Sequence, residues 1–261
     1  MDLMLEGKVA IVTGAGSIGD PGIGAAIAQV LSREGCTVVV VDRDLEAAEY
    51  TVKAISARGK ALAIRADVAN EADCRAVFDQ TMAALGRVDI LVNNVGIEIR
   101  DDSIESWHQV MMTNSGSMVM LSARFLEVAK DGGSIVNIGS TSGLRPPRAG
   151  AVSYAMSKGA VFALTKSLAV RYGPKQVRVN CVCPGGPMTP MGIRLTLGAN
   201  PTAEEIEGMK KLRREQNPLN RLGDAWDVAE AVAFIASEKA RWITGVVLVV
   251  DGGRMLSAAI A

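Results

Sequence analysis

The chain has 261 residues, 49% of them hydrophobic, which is enough for one large α/β domain or two small ones. Its 28 Lys and Arg balance its 28 Asp and Glu, which argues against binding to nucleic acid or to a membrane surface through bulk charge. The sequence holds no run of about 18 apolar residues, and it therefore predicts no transmembrane helix.

The first segment, MDLMLEGKVAIVTG, lacks the basic and long apolar regions of an export signal, so we expect a cytoplasmic protein whose first strand lies here. From there, short β-branched apolar runs alternate with amphipathic stretches. The predicted strands are 8–13, 37–41, 61–65, 90–93, 134–138, 178–182 and 246–250, and the predicted helices are 23–34, 45–58, 71–85, 103–129, 155–172 and 225–237. This alternation predicts an α/β fold, a doubly wound parallel sheet of seven strands with helices on both faces.

A glycine-rich segment, TGAGSIGDPGIGAAIA, follows the first predicted strand and leads into the first predicted helix. Glycines at such a turn let the backbone approach a pyrophosphate, and the helix N-terminus supplies free N–H groups and partial positive charge. The sequence therefore predicts a dinucleotide site. The residues expected nearest the cofactor are Gly14, Ser17, Ile23 and Gly24.

Two registers compete for this turn. One spells GxGxxG from Gly14 to Gly19, and the other spells TGxxxGxG with four extra residues, 18–21, inserted before Gly22. Pro21 favours the second register, because proline is tolerated at a helix start and disrupts a helix interior. We expect the helix to begin at about Gly22, after a lengthened phosphate loop.

Polar residues at the ends of later strands extend this site. Asp42 ends the second strand, where a carboxylate can accept hydrogen bonds from ribose hydroxyls and would repel a 2′-phosphate. The sequence therefore favours NAD over NADP, although the neighbouring Arg43 could pair with a phosphate. The other residues expected beside the cofactor are Asp67 and Val68 after the third strand, and Asn94 and Gly96 after the fourth.

The cysteines and the single histidine predict no metal site. The cysteines are Cys36, Cys74, Cys181 and Cys183, and their spacing makes no zinc pattern. We expect them to be reduced and buried, and His108 to be structural. The long segment 186–217, rich in Pro, Gly, Met and Thr, predicts an irregular lid over a site, with one helix at 203–216.

The chain resembles a short-chain dehydrogenase/reductase over essentially its whole length. The matching pieces are the TG…GIG turn, ADV at 66–68, NNVG at 93–96, Asn114 in MMTNSGS, IVNIGS at 135–140, YAMSK at 154–158, RVNCVCPG at 178–185 and ITGVVLVVDGG at 243–253. Each is modestly specific, and together in this order they are very specific. The resemblance implies one Rossmann domain over 1–261. The insertion at 18–21 departs from the family pattern and leaves the pyrophosphate contacts open.

The resemblance also implies a catalytic set of Asn114, Ser140, Tyr154 and Lys158. Tyr154 would be the general acid/base, and Lys158, one helical turn further on, would lower its pKa. Ser140 would hydrogen-bond the substrate oxygen, and Asn114 would hold a water that links Lys158 to solvent. The residues implied in cofactor binding are Tyr154, Lys158, Pro184, Gly185 and Thr189.

The implied reaction is NAD-dependent interconversion of a secondary alcohol and a ketone. Apolar residues of the lid favour a small or medium, apolar-to-amphipathic substrate, while Arg145, Arg148 and Arg194 could recognise a carboxylate. The tight Tyr–Lys spacing argues against an enoyl reductase. A 3-oxoacyl-thioester reductase and a catalytically idle dinucleotide-binding redox sensor stay open as alternatives. The family further suggests a homotetramer, or a homodimer, with 103–129 and 155–172 at one interface.

Overall fold

The computed structural model describes residues 2–56, 59–101, 103–129, 132–146 and 151–257. Within these ranges, seven strands form one parallel sheet in the order β3-β2-β1-β4-β5-β6-β7. The strands are β1 (Val9–Thr13), β2 (Thr37–Asp42), β3 (Ala61–Arg65), β4 (Ile90–Asn93), β5 (Gly133–Ile138), β6 (Val177–Pro184) and β7 (Val247–Val250). The predicted doubly wound parallel sheet is confirmed, and all seven predicted strands are present with small changes of boundary.

Helices cover both faces of this sheet. They are α1 (Ile23–Arg33), α2 (Leu45–Ser56), α3 (Glu71–Leu85), α4 (Ile104–Met111), α5 (Ser117–Val128), α6 (Val152–Tyr172), α7 (Pro190–Leu197), α8 (Ala203–Glu215) and α9 (Ala225–Ala236). Alternate residues of β1 show the two layers, because Ala10 and Val12 pack with α1 and α9 while Val9 and Ile11 pack with α3 and α5. Among the described helices, none is long and apolar enough to cross a bilayer.

Three helix predictions need correction. The predicted helix 103–129 is divided by a π-helical turn at Met112–Gly116. The helix predicted from 155 begins earlier, at Val152, so Tyr154 lies in its first turn. The segment predicted as irregular contains α7. This helix begins at Pro190, and its N-terminal cap is Thr189, whose side chain accepts a hydrogen bond from the Gly192 amide.

The strand order reverses direction between β1 and β4. The chain runs outward from β1 through β2 to β3 and then returns to the other side of β1 as β4. In open parallel sheets, ligands bind in the crevice at the carboxyl ends of the strands at such a reversal. Thr13 and Asn93 end these two strands, so the fold places the glycine-rich turn and the NNVG segment at this crevice.

Candidate active site

The glycine-rich turn adopts the longer of the two registers. Helix α1 begins at Ile23, with Gly22 as its N-terminal cap and no side chain capping the free amides. Gly14 has a φ of 61°, and a side chain on Gly24 would overlap the Gly14 carbonyl oxygen. The two glycines therefore let the turn and the first helical turn pack directly on each other, and the uncapped N-terminus opens towards the crevice.

The inserted residues are closed into a turn by Ser17. Its Oγ donates a hydrogen bond to the Asp20 carbonyl at 2.9 Å and accepts one from the Gly22 amide at 3.2 Å. The Ile18 side chain points outward and is 59% exposed. The hydroxyl group of Ser17, which was predicted to lie near a cofactor, thus stabilises the conformation of the loop.

Asp42 organises the loop from the end of β2. Its Oδ2 accepts a hydrogen bond from the Gly16 amide at 3.0 Å, and its Oδ1 accepts one from the Asp44 amide at 3.1 Å. A side chain on Gly16 would collide with the Asp42 carboxyl group. The carboxylate therefore lies beside the turn, half-exposed, with further lone pairs available, while Arg43 is exposed.

Three other residues predicted to lie beside the cofactor differ in their contacts and in their exposure. Asn94 Nδ2 donates to the carbonyls of Thr13 and Gly14, both at 2.9 Å, which ties the end of β4 to the turn. Asp67 is exposed and accepts a hydrogen bond from the Ala69 amide. Val68 is buried at 4% exposure in the hydrophobic core, so its side chain serves packing.

Tyr154, Ser140 and Lys158 come together at the carboxyl end of β5. Tyr154 lies in the first turn of α6, half-buried, and forms a side-chain hydrogen bond with Ser140, the residue that follows the strand by two positions. One turn further on, Lys158 Nζ lies 5.8 Å from the centre of the Tyr154 ring and donates to the Ile138 carbonyl at 2.9 Å. The structure thus assembles a phenol, a hydroxyl and an amine from two elements.

The pKa values of this group differ from the sequence-based expectation. Burial raises the pKa of Tyr154 to about 12, against a smaller lowering by the hydrogen bond with Ser140. Burial also lowers the pKa of Lys158 to about 8. In the chain without a cofactor, Lys158 does not contribute to the Tyr154 pKa; its amine donates to the Ile138 carbonyl and lies 5.8 Å from the centre of the ring.

Asn114 lies completely buried inside the π-helical turn. Its Oδ1 accepts from the Ile97 amide at 2.8 Å, and its Nδ2 donates to the Ile97 carbonyl at 2.9 Å and to Ser157 Oγ at 3.0 Å. Ser157 Oγ in turn donates to the Tyr154 carbonyl at 2.8 Å. The sequence analysis did not identify Ser157, although its position three residues after Tyr154 places both residues on the same face of α6.

Gly96 brings Asn114 and Lys158 into one space. A Cβ atom at Gly96 would stand 3.1 Å from Lys158 Nζ and 3.8 Å from Asn114 Oδ1. Any larger residue would therefore press on the amine.

The segment after β6 completes the rim of the crevice. Pro184 ends the strand, and the Gly185 amide donates to the Val250 carbonyl at 3.0 Å. Thr189 is buried at 8% exposure; its Oγ1 accepts from the Gly192 amide and keeps its own hydrogen to donate.

The four cysteines are free and buried as predicted, whereas the His108 side chain is exposed on α4. Cys181 and Cys183 are buried, and burial raises the pKa of each thiol to about 12. Within the described residues, no cluster of His, Cys, Asp and Glu could hold a metal ion.

Two of the three arginines considered for a substrate carboxylate lie within the described residues, on separate parts of the fold. Arg145 reaches the Met255 carbonyl at 3.4 Å, Arg194 is exposed on α7, and Arg148 lies outside the described residues.

The chain is similar to known oxidoreductases over nearly all of its length. A family model described as enoyl-(acyl carrier protein) reductase matches residues 16–254. The 2,5-dichloro-2,5-cyclohexadiene-1,4-diol dehydrogenase LinX of Sphingobium indicum is 37% identical over 256 residues, which cover 95% of this chain and 96% of that protein. Elsinochrome reductase 1 of Elsinoe fawcettii is 34% identical, over 95% of this chain and 94% of that protein.

Solved structures agree with this similarity. A protein from Burkholderia xenovorans assigned to the short-chain dehydrogenase/reductases superposes with a TM-score of 0.90 at 37% identity, covering 97% of this chain and 98% of that chain. A variant of a Serratia marcescens short-chain dehydrogenase/reductase superposes with a TM-score of 0.83 at 36% identity, covering 96% and 98% of the two chains.

Proposed function

The chain belongs to the short-chain dehydrogenase/reductase family, and from this premise we propose that it is an NAD-dependent oxidoreductase that interconverts a secondary alcohol and a ketone. The observation that carries the proposal is the meeting of Tyr154, Ser140 and Lys158 at the sheet edge that also bears the glycine-rich turn. Relatives named as a diol dehydrogenase and a reductase support oxidoreductase chemistry.

The residues at the turn fit a dinucleotide. The uncapped amides of Ile23 and Gly24 would hold the pyrophosphate, and the close packing of Gly24 on Gly14 leaves the backbone accessible. Asp42 would accept hydrogen bonds from ribose hydroxyls with the lone pairs that Gly16 and Asp44 leave free. A bound NAD would accept or donate the hydride and, when oxidised, would bring a positive charge near the phenol.

Tyr154 would exchange a proton with the substrate oxygen while Ser140 orients that oxygen. Positioned acid/base groups contribute roughly 10²–10⁴-fold to a rate. Lys158, whose pKa of about 8 lies close to neutrality, would pass the proton onward. A water between its Nζ and Asn114 Oδ1 would continue the path to solvent. Segment 186–217, which contains α7 and α8, would act as the lid over the substrate.

The first experiment is an assay of the purified protein with NAD and a panel of secondary alcohols, followed by NADH absorbance. Cyclic alcohols come first, because one relative is named for a cyclohexadiene diol. Tyr154→Phe is expected to lower turnover roughly 10²–10⁴-fold with little change in NAD affinity, whereas Tyr50→Phe, at an exposed tyrosine, is the matched control. Near-normal turnover in Tyr154→Phe would contradict the assignment.

The cofactor is tested separately through Asp42. Asp42→Ala is expected to weaken NAD and to shift the ratio of catalytic efficiencies towards NADP, because a carboxylate that repels a 2′-phosphate is removed. Asp79→Ala, on an exposed face of α3, is the control. An unchanged ratio in Asp42→Ala would show that Asp42 is not the ribose ligand.

A second candidate is a 3-oxoacyl-thioester reductase; the matching family model is described by another acyl-thioester reductase, an enoyl-(acyl carrier protein) reductase. Such an enzyme would reduce acetoacetyl-coenzyme A with NADPH, and the acidic Asp42 counts against it. Nucleotide binding without turnover of any alcohol or thioester would instead identify the idle redox sensor.

We also propose that the protein is cytoplasmic and that it forms a homotetramer or homodimer. Sedimentation of the purified chain would test the oligomeric state.

A further inference from the structure

A cavity lies beside the hinge of the lid segment. It has a volume of about 240 Å³ and is bounded by the hinge Gly185–Pro187, the end of α8, the start of α9 and the turn after β7. Its lining in the described chain includes none of Asn114, Ser140, Tyr154 or Lys158. Apart from Gly185, which the family resemblance implies in cofactor binding, the lining therefore has no role in the proposed reaction.

Two arginines meet in this cavity. Arg213 extends from α8, and Arg254 extends from the turn after β7. The Nη1 atoms of both lie less than 3.0 Å from the point where a Cβ of Gly186 would stand, so they cannot be more than 6 Å apart. Each is half-buried, and burial together with the like charge of Arg254 lowers the pKa of Arg213 to about 10. Both therefore remain cationic at neutral pH.

The two guanidinium groups have few acceptors within the described part of the chain. There, Arg213 bonds only through Nη1, to the carbonyls of Gly186 and Pro187. Arg254 bonds through Nη2 to Gln216 Oε1 at 2.8 Å, and its buried Nε has no partner. Across the described residues, no carboxylate lies within 4.0 Å of either guanidinium group. Several N–H donors thus face the cavity without acceptors to match them.

The acidic residues that line the cavity are already engaged. Asp251 accepts from the amides of Gly253 and Met255 at 2.8 and 2.7 Å, and its charge acts on Arg254 from beyond ion-pair distance. Asp224 and Asp227 accept from backbone amides at the start of α9. These carboxylates hold the turn and the helix start in place, and none of them forms an ion pair with Arg213 or Arg254.

We propose that this cavity binds an oxyanion, a phosphate or carboxylate group, between Arg213 and Arg254. Guanidinium groups bind such anions through paired N–H donors, and two of them converging on one point match an acceptor-rich ligand. The anion would offset the repulsion between the arginines and satisfy Nε of Arg254. It would also connect α8 to the turn after β7 and so hold the hinge at Gly186 and Pro187.

Inorganic phosphate is the probe, and thermal unfolding of the full chain is the measurement. Phosphate is raised to about 20 mM while sodium chloride keeps the ionic strength constant, which separates specific binding from screening. Saturable binding is expected to raise the melting temperature by roughly 2–4 °C. Arg254→Gln should abolish this rise, and Arg214→Gln, at an exposed neighbour on α8, should keep it.

Arg213→Gln serves as the second variant and should also lose the rise. If its lost contacts to the hinge prevent folding, Arg254→Gln still decides, because the one side-chain hydrogen bond of Arg254 is to Gln216. A rise that persists unchanged in Arg254→Gln would place the phosphate elsewhere, for example at the glycine-rich turn, and would overturn the proposal. No saturable rise in the unaltered chain would overturn it as well. None of these readouts depends on turnover.

Discussion

Among the described residues, the proposed catalytic cluster and the cavity beside the lid hinge each bury a cation without a carboxylate within ion-pair distance, but the consequences differ. At the proposed catalytic cluster, Lys158 is 2% exposed, donates to the Ile138 carbonyl, and has its pKa lowered to about 8. Beside the lid hinge, Arg213 has its pKa lowered only to about 10 and faces a second arginine. A buried amine can release its proton near neutral pH, whereas a guanidinium group keeps its charge and requires acceptors.

The difference teaches what each region can do. A group that titrates near neutrality can relay protons, and the Lys158 region is otherwise closed by satisfied hydrogen bonds through Asn114 and Ser157. A permanent charge with unused donors recruits an anion instead. We therefore propose that the same physical cost, desolvation of a cation, supports proton transfer in one place and ligand binding in the other.

The largest expected effect comes from removing the titrating amine. Lys158→Met should lower turnover roughly 10²–10⁴-fold, because the general acid/base loses its route for protons. Steady-state kinetics with NAD and the best alcohol of the panel measure this loss. Lys166→Met, at an exposed position two turns along α6, is the control and should retain turnover. Equal activity in the two variants would contradict the role of Lys158 in proton transfer.

The second prediction concerns stability against pH. The folded pKa of Lys158, about 8, lies below its ordinary value of 10.5, so the folded state binds this proton less tightly than the unfolded state. The charge penalises folding fully below pH 8, and the penalty is relieved as pH rises from 8 to 10.5. Relative to Lys158→Met, the unaltered protein should gain up to about 3 kcal/mol across this window.

Urea unfolding at the two ends of this window measures that gain. The difference between the two proteins cancels titrations that they share, such as those of the thiols. The corresponding difference for Lys166→Met, a lysine exposed on α6, should stay flat. A flat difference for Lys158→Met would show that the buried amine keeps its ordinary pKa.

A smaller effect is expected from Ser157→Ala. The change leaves a donor of the buried Asn114 without its acceptor and removes the bond to the Tyr154 carbonyl. Such a loss costs about 1–3 kcal/mol of unfolding free energy, measured by urea denaturation. Ser56→Ala, on the exposed end of α2, should change stability far less. Similar losses in both variants would mean that the satisfied network contributes little.

The smallest expected effect is on phosphate affinity at the arginine pair. Arg254→Lys keeps the charge and removes the planar fork of donors, so phosphate affinity should fall roughly tenfold, or about 1.4 kcal/mol. Phosphate titrations followed by melting temperature give both dissociation constants. Arg214→Lys should bind phosphate like the unaltered chain. Full affinity in Arg254→Lys would indicate a diffuse charge effect rather than a shaped site.

Local sequence patterns were sufficient for most of the framework. Short β-branched apolar runs and amphipathic helical stretches depend on neighbouring residues, so they predicted the strands and the parallel sheet that the structure confirms. Pro21 alone decided where α1 starts, because a proline ring conflicts with a helix interior at any place in any fold. The motif around Tyr154 and Lys158 placed both side chains on one face of α6.

Tertiary structure decided the features that depend on distant contacts. Three such features are the π-helical turn at Asn114, the hydrogen bond that Asn114 donates to Ser157, and the bond that Lys158 donates to the Ile138 carbonyl. The two hydrogen bonds join α6 to segments distant in the sequence. Arg213 and Arg254 lie on separate elements, and no periodicity connects them. Because burial and like charge depend on what packs around a group in space, the pKa values and the anion site could be read only from the folded chain.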